Sequence, residues 1–156
     1  MHVKKIFVTL LLASFSLSSF AEKFEADDIT GYWLTKEEKA VIQVYKNGDS
    51  FEGKLVWLVD LHTGKKKEVL DDKNPEEELQ TRSLLNLKNL SGFKYDDGEW
   101  TGGNIYDPKS GKTYSAKMKL EGKDDLSLRG YVGIPLFGRT SEWKRQSSII
   151  PDKYSK

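Results

Sequence analysis

Apolar and polar side chains alternate with a period of two through most of the chain after residue 30, and turn chemistry breaks the alternation at short intervals. The cleanest run sets Tyr114, Ala116, Met118 and Leu120 against Thr113, Ser115, Lys117 and Lys119, the pattern of a strand with one face in a core. Further runs at 31–35, 40–45, 51–59, 92–95, 99–106, 126–132 and 139–145 bring the prediction to eight strands. In the run at 51–59, Phe51, Gly53, Leu55, Trp57 and Val59 share one face and Glu52, Lys54, Val56 and Leu58 the other, so its second half is apolar on both sides. Asn47-Gly48 supplies the positive φ angles of a two-residue hairpin turn, and Asp96-Asp97-Gly98, 107–111 and Asp124-Asp125 serve as the later turns.

One stretch departs from this rhythm. After a turn region at 61–67, residues 71–90 carry Asn74-Pro75-Glu76-Glu77, the form of an N-cap, a proline at the first helical position and acids in the first turn. A short helix is predicted there, in an excursion between strands 3 and 4, with Leu79, Leu84, Leu85, Leu87 and Leu90 to bury against the sheet. Eight strands in hairpin order leave two edges, and closing them on each other gives an all-β fold, a small antiparallel up-and-down barrel. Gly102, Gly103, Gly130, Gly133 and Gly138 are expected at bulges and sharp corners. Such a barrel is filled by its own side chains or holds one small ligand.

The N-terminus follows a different logic. Lys4 and Lys5 precede an apolar stretch from Ile6, and Ser19 and Ala21 are small residues at the spacing signal peptidase accepts, so residues 1–21 read as a signal peptide cleaved after Ala21. The apolar run is too short for a membrane span of roughly 20 residues, so no stable membrane anchor is expected after cleavage. The full chain's 25 basic and 24 acidic side chains become 23 and 24 once Lys4 and Lys5 leave, and the net charge goes from +1 to −1. That balance gives no attraction to nucleic acid. Residues 22–145 then form a single barrel domain, and 146–156, without pattern, a flexible C-terminal tail.

Candidate chemistry is sparse. The chain has no cysteine, so disulfides and a His/Cys metal cluster are excluded. His62, in a Leu-His-Thr-Gly turn, is expected to face solvent, and no Gly-x-Ser-x-Gly elbow occurs. The run from Asp72 to Glu77 has Glu77 where a calcium loop needs glycine. No cofactor and no metal are expected, and the protein reads as a non-enzyme. The aromatic side chains are numerous, and Trp33, Trp57, Trp100, Trp143, Tyr106, Tyr114 and Tyr131 read two ways: as walls of an amphipathic ligand pocket, or as core.

Several longer strings resemble a bacterial exported family catalogued as domain of unknown function 2147. They include Gly31-Tyr32-Trp33-Leu34-Thr35, Gly53-Lys54-Leu55-Val56-Trp57-Leu58, and Asn74-Pro75 followed by Arg82-Ser83-Leu84-Leu85. The most specific are the strings from Trp100 to Pro108 and from Leu128 to Thr140. The resemblance implies an exported protein of Gram-negative bacteria with a lipocalin-like barrel, and no established activity. A fold-level likeness to lipocalin-type (calycin) barrels implies that Gly31 and Trp33 on the first strand meet an arginine from the last, Arg145 or else Arg139, to seal the barrel floor.

Three functions follow as expectations. The leading one is a periplasmic protein that binds a small hydrophobic or amphipathic ligand among Trp57, Trp100, Tyr106, Tyr114 and Tyr131. The second is an envelope protein-protein interaction module acting through surface loops, either the excursion from Leu84 to Phe93 or the loop from Gly133 to Gly138 with Ile134, Leu136 and Phe137 as exposed apolar residues. The third, an enzyme built on carboxylates, would need them clustered with Arg129 or Arg139 in a cleft.

Overall fold

A computed structural model describes residues 23–155, and the expected signal peptide lies outside them. Eight antiparallel strands close into one barrel in sequence order. They are β1 (Gly31–Leu34), β2 (Ala40–Asn47), β3 (Ser50–Leu58), β4 (Lys88–Asp96), β5 (Glu99–Asp107), β6 (Lys112–Gly122), β7 (Asp125–Tyr131) and β8 (Arg139–Gln146). Closure is made by β1 against β8, with Trp33 opposite Arg145.

The alternation on β6 is carried into the fold, with Ala116, Met118 and Leu120 buried and Ser115 and Lys119 exposed. With Trp33, Phe51, Phe93, Trp100, Leu126 and Trp143 they make one continuous core inside the barrel. Gly103 makes room for it: a Cβ there would lie 2.4 Å from the Phe93 ring.

On β3 the predicted faces fail halfway. Ile42 pairs with Leu55 but Val41 pairs with Trp57, so Val56 is the extra residue of a β-bulge and everything after it changes sides. Leu58 turns into the core. Trp57 turns out, onto a separate apolar pad with Leu34 and Val41.

The excursion between β3 and β4 holds one short helix, as expected, but not where Asn74-Pro75 placed it. Its α-helical turn, α1 (Val59–His62), comes directly after β3, where a turn was expected, and Asn74-Pro75 leads only into a 3-10 turn, Glu77–Leu79. The Asn74 side chain does accept the Glu76 N–H, at 2.9 Å. Its amide group, however, donates into a buried network, to Asp71 Oδ2 at 2.8 Å and Tyr106 Oη at 3.1 Å.

Residues 147–155, expected as part of a loose tail, lie against the barrel. Pro151 is fully buried, Tyr154 packs on Trp57 with ring centroids 5.1 Å apart, and Lys153 pairs with Glu38. The outward Trp57 supplies the apolar surface that makes this docking favourable. His62 is exposed yet stands beside both rings, 5.5 Å from Trp57 and 5.2 Å from Tyr154.

Candidate functional site

The two ends of the barrel are built differently. At the end where β1 begins, a 3-10 turn, Ala26–Ile29, lies across the opening. Trp33 Nε1 donates to the Ile29 carbonyl at 2.8 Å and Trp100 Nε1 to the Ala26 carbonyl at 3.0 Å. Arg145 finishes this floor. Its guanidinium sits 4.2 Å from the centre of the Trp33 ring and donates to the carbonyls of Thr30, Asp28 and Lys123 at 2.8, 2.6 and 2.7 Å.

Gly31 is what admits Arg145 here. It has φ +130°, and a Cβ would stand 3.0 Å from the arginine Nη1. Arg139 does not share the role. It pairs with Gly130 at the far end of β8, and six residues of strand put it roughly 20 Å from the floor.

The other end is open. A cavity of about 520 Å³ lies there, within the range of small-ligand sites. Its inner wall is Ile42, Leu55, Leu58, Ile105, Leu128 and Trp143, with Asn89 and Ser141 as polar members. Val69 and Leu84 from the excursion close one side, and Glu37, Lys39, Asp60, Asp107 and Lys109 stand around the rim.

Of the five aromatic residues predicted to line a pocket, this cavity gathers Tyr106 alone. Trp100 lies in the floor and Trp57 on the outer pad. Tyr114 and Tyr131 are half-buried and do not reach the cavity wall. Trp143, one of the aromatics weighed as pocket or core but not among the five assigned to the ligand, does line the cavity, and its inward parity with Ser141 and Arg145 could be read from β8.

A buried polar node holds the excursion to the barrel beside the cavity. Asp71 is completely buried. One of its oxygens accepts from Tyr106 Oη at 2.6 Å, and the other from Asn74 Nδ2 and Arg82 Nε, both at 2.8 Å. Arg82 Nη2 adds a contact at 2.8 Å.

Burial works to raise the Asp71 pKa, but the hydrogen bonds from Tyr106, Asn74 and Arg82 and the Arg82 charge outweigh it, holding the carboxyl below its ordinary value. Burial first, then the bond to Asp71, pushes the Tyr106 phenol up. Close by, the backbone of Lys73 passes over Gly111. A Cβ at 111 would lie 1.8 Å from the Lys73 carbonyl oxygen, and φ there is +68°. Asp71 escaped the sequence reading because an aspartate in a loop is ordinary; only Tyr106 and Arg82, far away in the chain, make it a node.

The loop between β7 and β8 projects from the open end. Arg129 braces it from within, donating to the carbonyls of Pro135 and Leu136 at 2.6 and 3.1 Å and to Thr140 Oγ1 at 2.9 Å. The Arg129 hydrogen bonds thus go to two loop carbonyls and the Thr140 hydroxyl, and its side chain also borders a surface cavity of about 320 Å³ with Glu99, Glu121 and Glu142. Val132, Leu136 and Phe137 are left 74%, 74% and 79% exposed. Among the described residues, no three His, Asp or Glu side chains converge as a metal site.

An eight-stranded antiparallel barrel with a sealed floor, an arginine stacked on the first-strand tryptophan and a cavity at the open mouth defines a lipocalin-like protein. A solved structure agrees: the chain is similar to a protein titled "Protein HP1028 from the human pathogen Helicobacter pylori belongs to the lipocalin family". The identity is 26%, with 76% of this chain and 83% of that one covered and a TM-score of 0.67. The chain belongs to the family described as "Uncharacterized protein conserved in bacteria (DUF2147)", which matches residues 31–145. No curated protein matches it.

Proposed function

We propose that this chain is an exported, non-enzymatic binding protein of the periplasm that takes a small apolar or amphipathic molecule into the open end of its barrel. The cavity carries the reading: about 520 Å³ of space walled by aliphatic side chains and Trp143, above a floor that is sealed. Apolar walls with a few polar groups are the usual chemistry of a small-molecule site, and the likeness to a lipocalin-family protein points the same way. Export is supported by the basic and apolar segments that open the sequence and by small residues at Ser19 and Ala21.

The test is a titration with 1-anilinonaphthalene-8-sulfonate, read by probe emission and by quenching of tryptophan. Saturable binding is expected, and Leu84→Trp, which fills the mouth from the excursion side, is expected to weaken it at least tenfold. Absence of saturable binding, or binding indifferent to Leu84→Trp, would overturn the reading. Native mass spectrometry of protein taken from a periplasmic extract then looks for a retained small molecule as added mass.

A second reading is favoured by the exposure of Val132, Leu136 and Phe137 on a braced loop. It makes this loop a contact surface for another protein molecule. For a second copy of the chain, sedimentation over a range of concentrations decides: the wild type associates and the Leu136→Ser, Phe137→Ser variant stays monomeric. Two monomeric proteins at every concentration remove the second copy from the reading.

A further inference from the structure

The inner wall of the cavity contains a residue, Asn89, with a polar atom that the fold does not use. Asn89 is 6% exposed, and its Oδ1 is buried without a hydrogen-bond partner. Buried side-chain oxygens are nearly always satisfied, and one that is not calls for a reason. The residue is brought there by an irregularity: Gly53 pairs with Leu90 but Lys54 with Lys88, so Asn89 is the extra residue of a β-bulge. Bulges re-aim side chains beside functional sites, and this one sets a carboxamide in a wall otherwise built of Ile42, Leu55 and Leu128. The other polar wall residue, Ser141, already accepts the Trp143 indole N–H at 2.9 Å.

We propose that the Asn89 carboxamide is the inner anchor of the site, and that the ligand is an apolar molecule with an uncharged hydrogen-bonding group, a hydroxyl or amide, at the end that enters first. The proposal rests on the cavity being the binding site and adds the chemistry it selects. A carboxamide offers both an acceptor and donors, so it satisfies a hydroxyl or an amide and gives an ion no countercharge. The charged side chains Glu37, Lys39, Asp60, Asp107 and Lys109 all stand at the rim. An ionised group driven to the depth of Asn89 would lose its hydration without a countercharge, so an ionic headgroup, where the ligand has one, stays at the mouth. Oδ1 is closed off from open space and held by no partner, so the amide group presents it to a ligand by turning about its own side-chain bond without breaking a hydrogen bond to Oδ1.

The test compares 1-octanol, 1-chlorooctane and octylammonium as displacers of 1-anilinonaphthalene-8-sulfonate from the wild type, Asn89→Leu and Asn89→Asp. The preference for octanol over chlorooctane is expected to fall at least tenfold on going to Asn89→Leu, each displacer being read against the dye's own affinity for that same variant. Asn89→Asp is expected to shift preference toward octylammonium. Melting adds an independent readout: Asn89→Leu, which removes an unsatisfied group, melts at or above the wild type.

An unchanged octanol preference in Asn89→Leu, with dye still bound, overturns the anchor and leaves the cavity reading standing. A clear drop in the melting temperature of Asn89→Leu also overturns it, since that shows the carboxamide supporting the fold. Failure of the dye to bind the wild type takes both proposals down together.

Discussion

Asp71→Asn changes one atom in the node that ties the excursion to β5, and its cost can be worked from the contacts. Three side chains donate to the carboxylate: Tyr106 to one oxygen, Asn74 and Arg82 to the other. An asparagine has a single acceptor oxygen, so its NH2 must face either Tyr106 or the Asn74 and Arg82 donors. Facing Tyr106 is the milder choice. The phenol then loses the acceptor for its own proton, and Arg82 keeps a neutral oxygen in place of a charged one.

A hydrogen bond to a charged group contributes about 1.5–3 kcal/mol, and breaking a fully buried ion pair costs about 3–5 kcal/mol. The Arg82 side chain is 36% exposed, so solvent screens part of the pair and the expected loss is about 2–3 kcal/mol. For a domain of this size that is a fall of roughly 6–12 °C in Tm. The assay is urea unfolding with thermal melts, from pH 7 downward.

The sign with pH follows from the lowered Asp71 pKa. The unfolded carboxyl titrates near 3.9, the folded one below it, so the stabilisation is complete above about pH 5 and is lost as pH falls through the folded value. The gap between the wild type and the Asp71→Asn variant should therefore be constant from pH 6 to 8 and close in acid. A variant within about 0.5 kcal/mol of the wild type at pH 7, or a gap that widens in acid, refutes the electrostatic account of the node.

Three further outcomes are expected. Arg145→Lys keeps the charge but cannot reach three carbonyls while covering Trp33, and should lose about 2 kcal/mol by urea unfolding; equal stability would mean charge alone closes the floor. Gly103→Ala drives a methyl group against the Phe93 ring and should cost about 1–3 kcal/mol by the same measurement, whereas a neutral result would show that the ring has somewhere to go. Tyr154→Ala strips one cover from Trp57, with an expected loss of about 1–2 kcal/mol and a red shift of tryptophan emission; unchanged emission would show that the tail contributes nothing to burying the indole.

The barrel was legible because its determinants are local. Alternation on β6, Asn47-Gly48 and the later turns each specify a strand or a hairpin from a few neighbouring residues, and closure follows once the edges must be hidden. The floor was legible for a related reason: in an up-and-down barrel the first and last strands meet, which brings the neighbourhood of Trp33 to that of Arg145. The cavity was not legible, and the fault has one physical source. A period of two identifies faces only while the ladder is unbroken, and a single inserted residue exchanges them without leaving a mark in the pattern. Val56 is such a residue on β3, and it sent Trp57 to the outer pad. Asn89 is another on β4, where an Asn between a lysine and a leucine looked like the end of a loop. Both insertions lie on adjacent strands at the open end, beside Leu55 and Leu58 of the cavity wall. The irregularities that hid the site from the sequence are also what turn Leu58 into the core and bring the Asn89 carboxamide into the cavity wall.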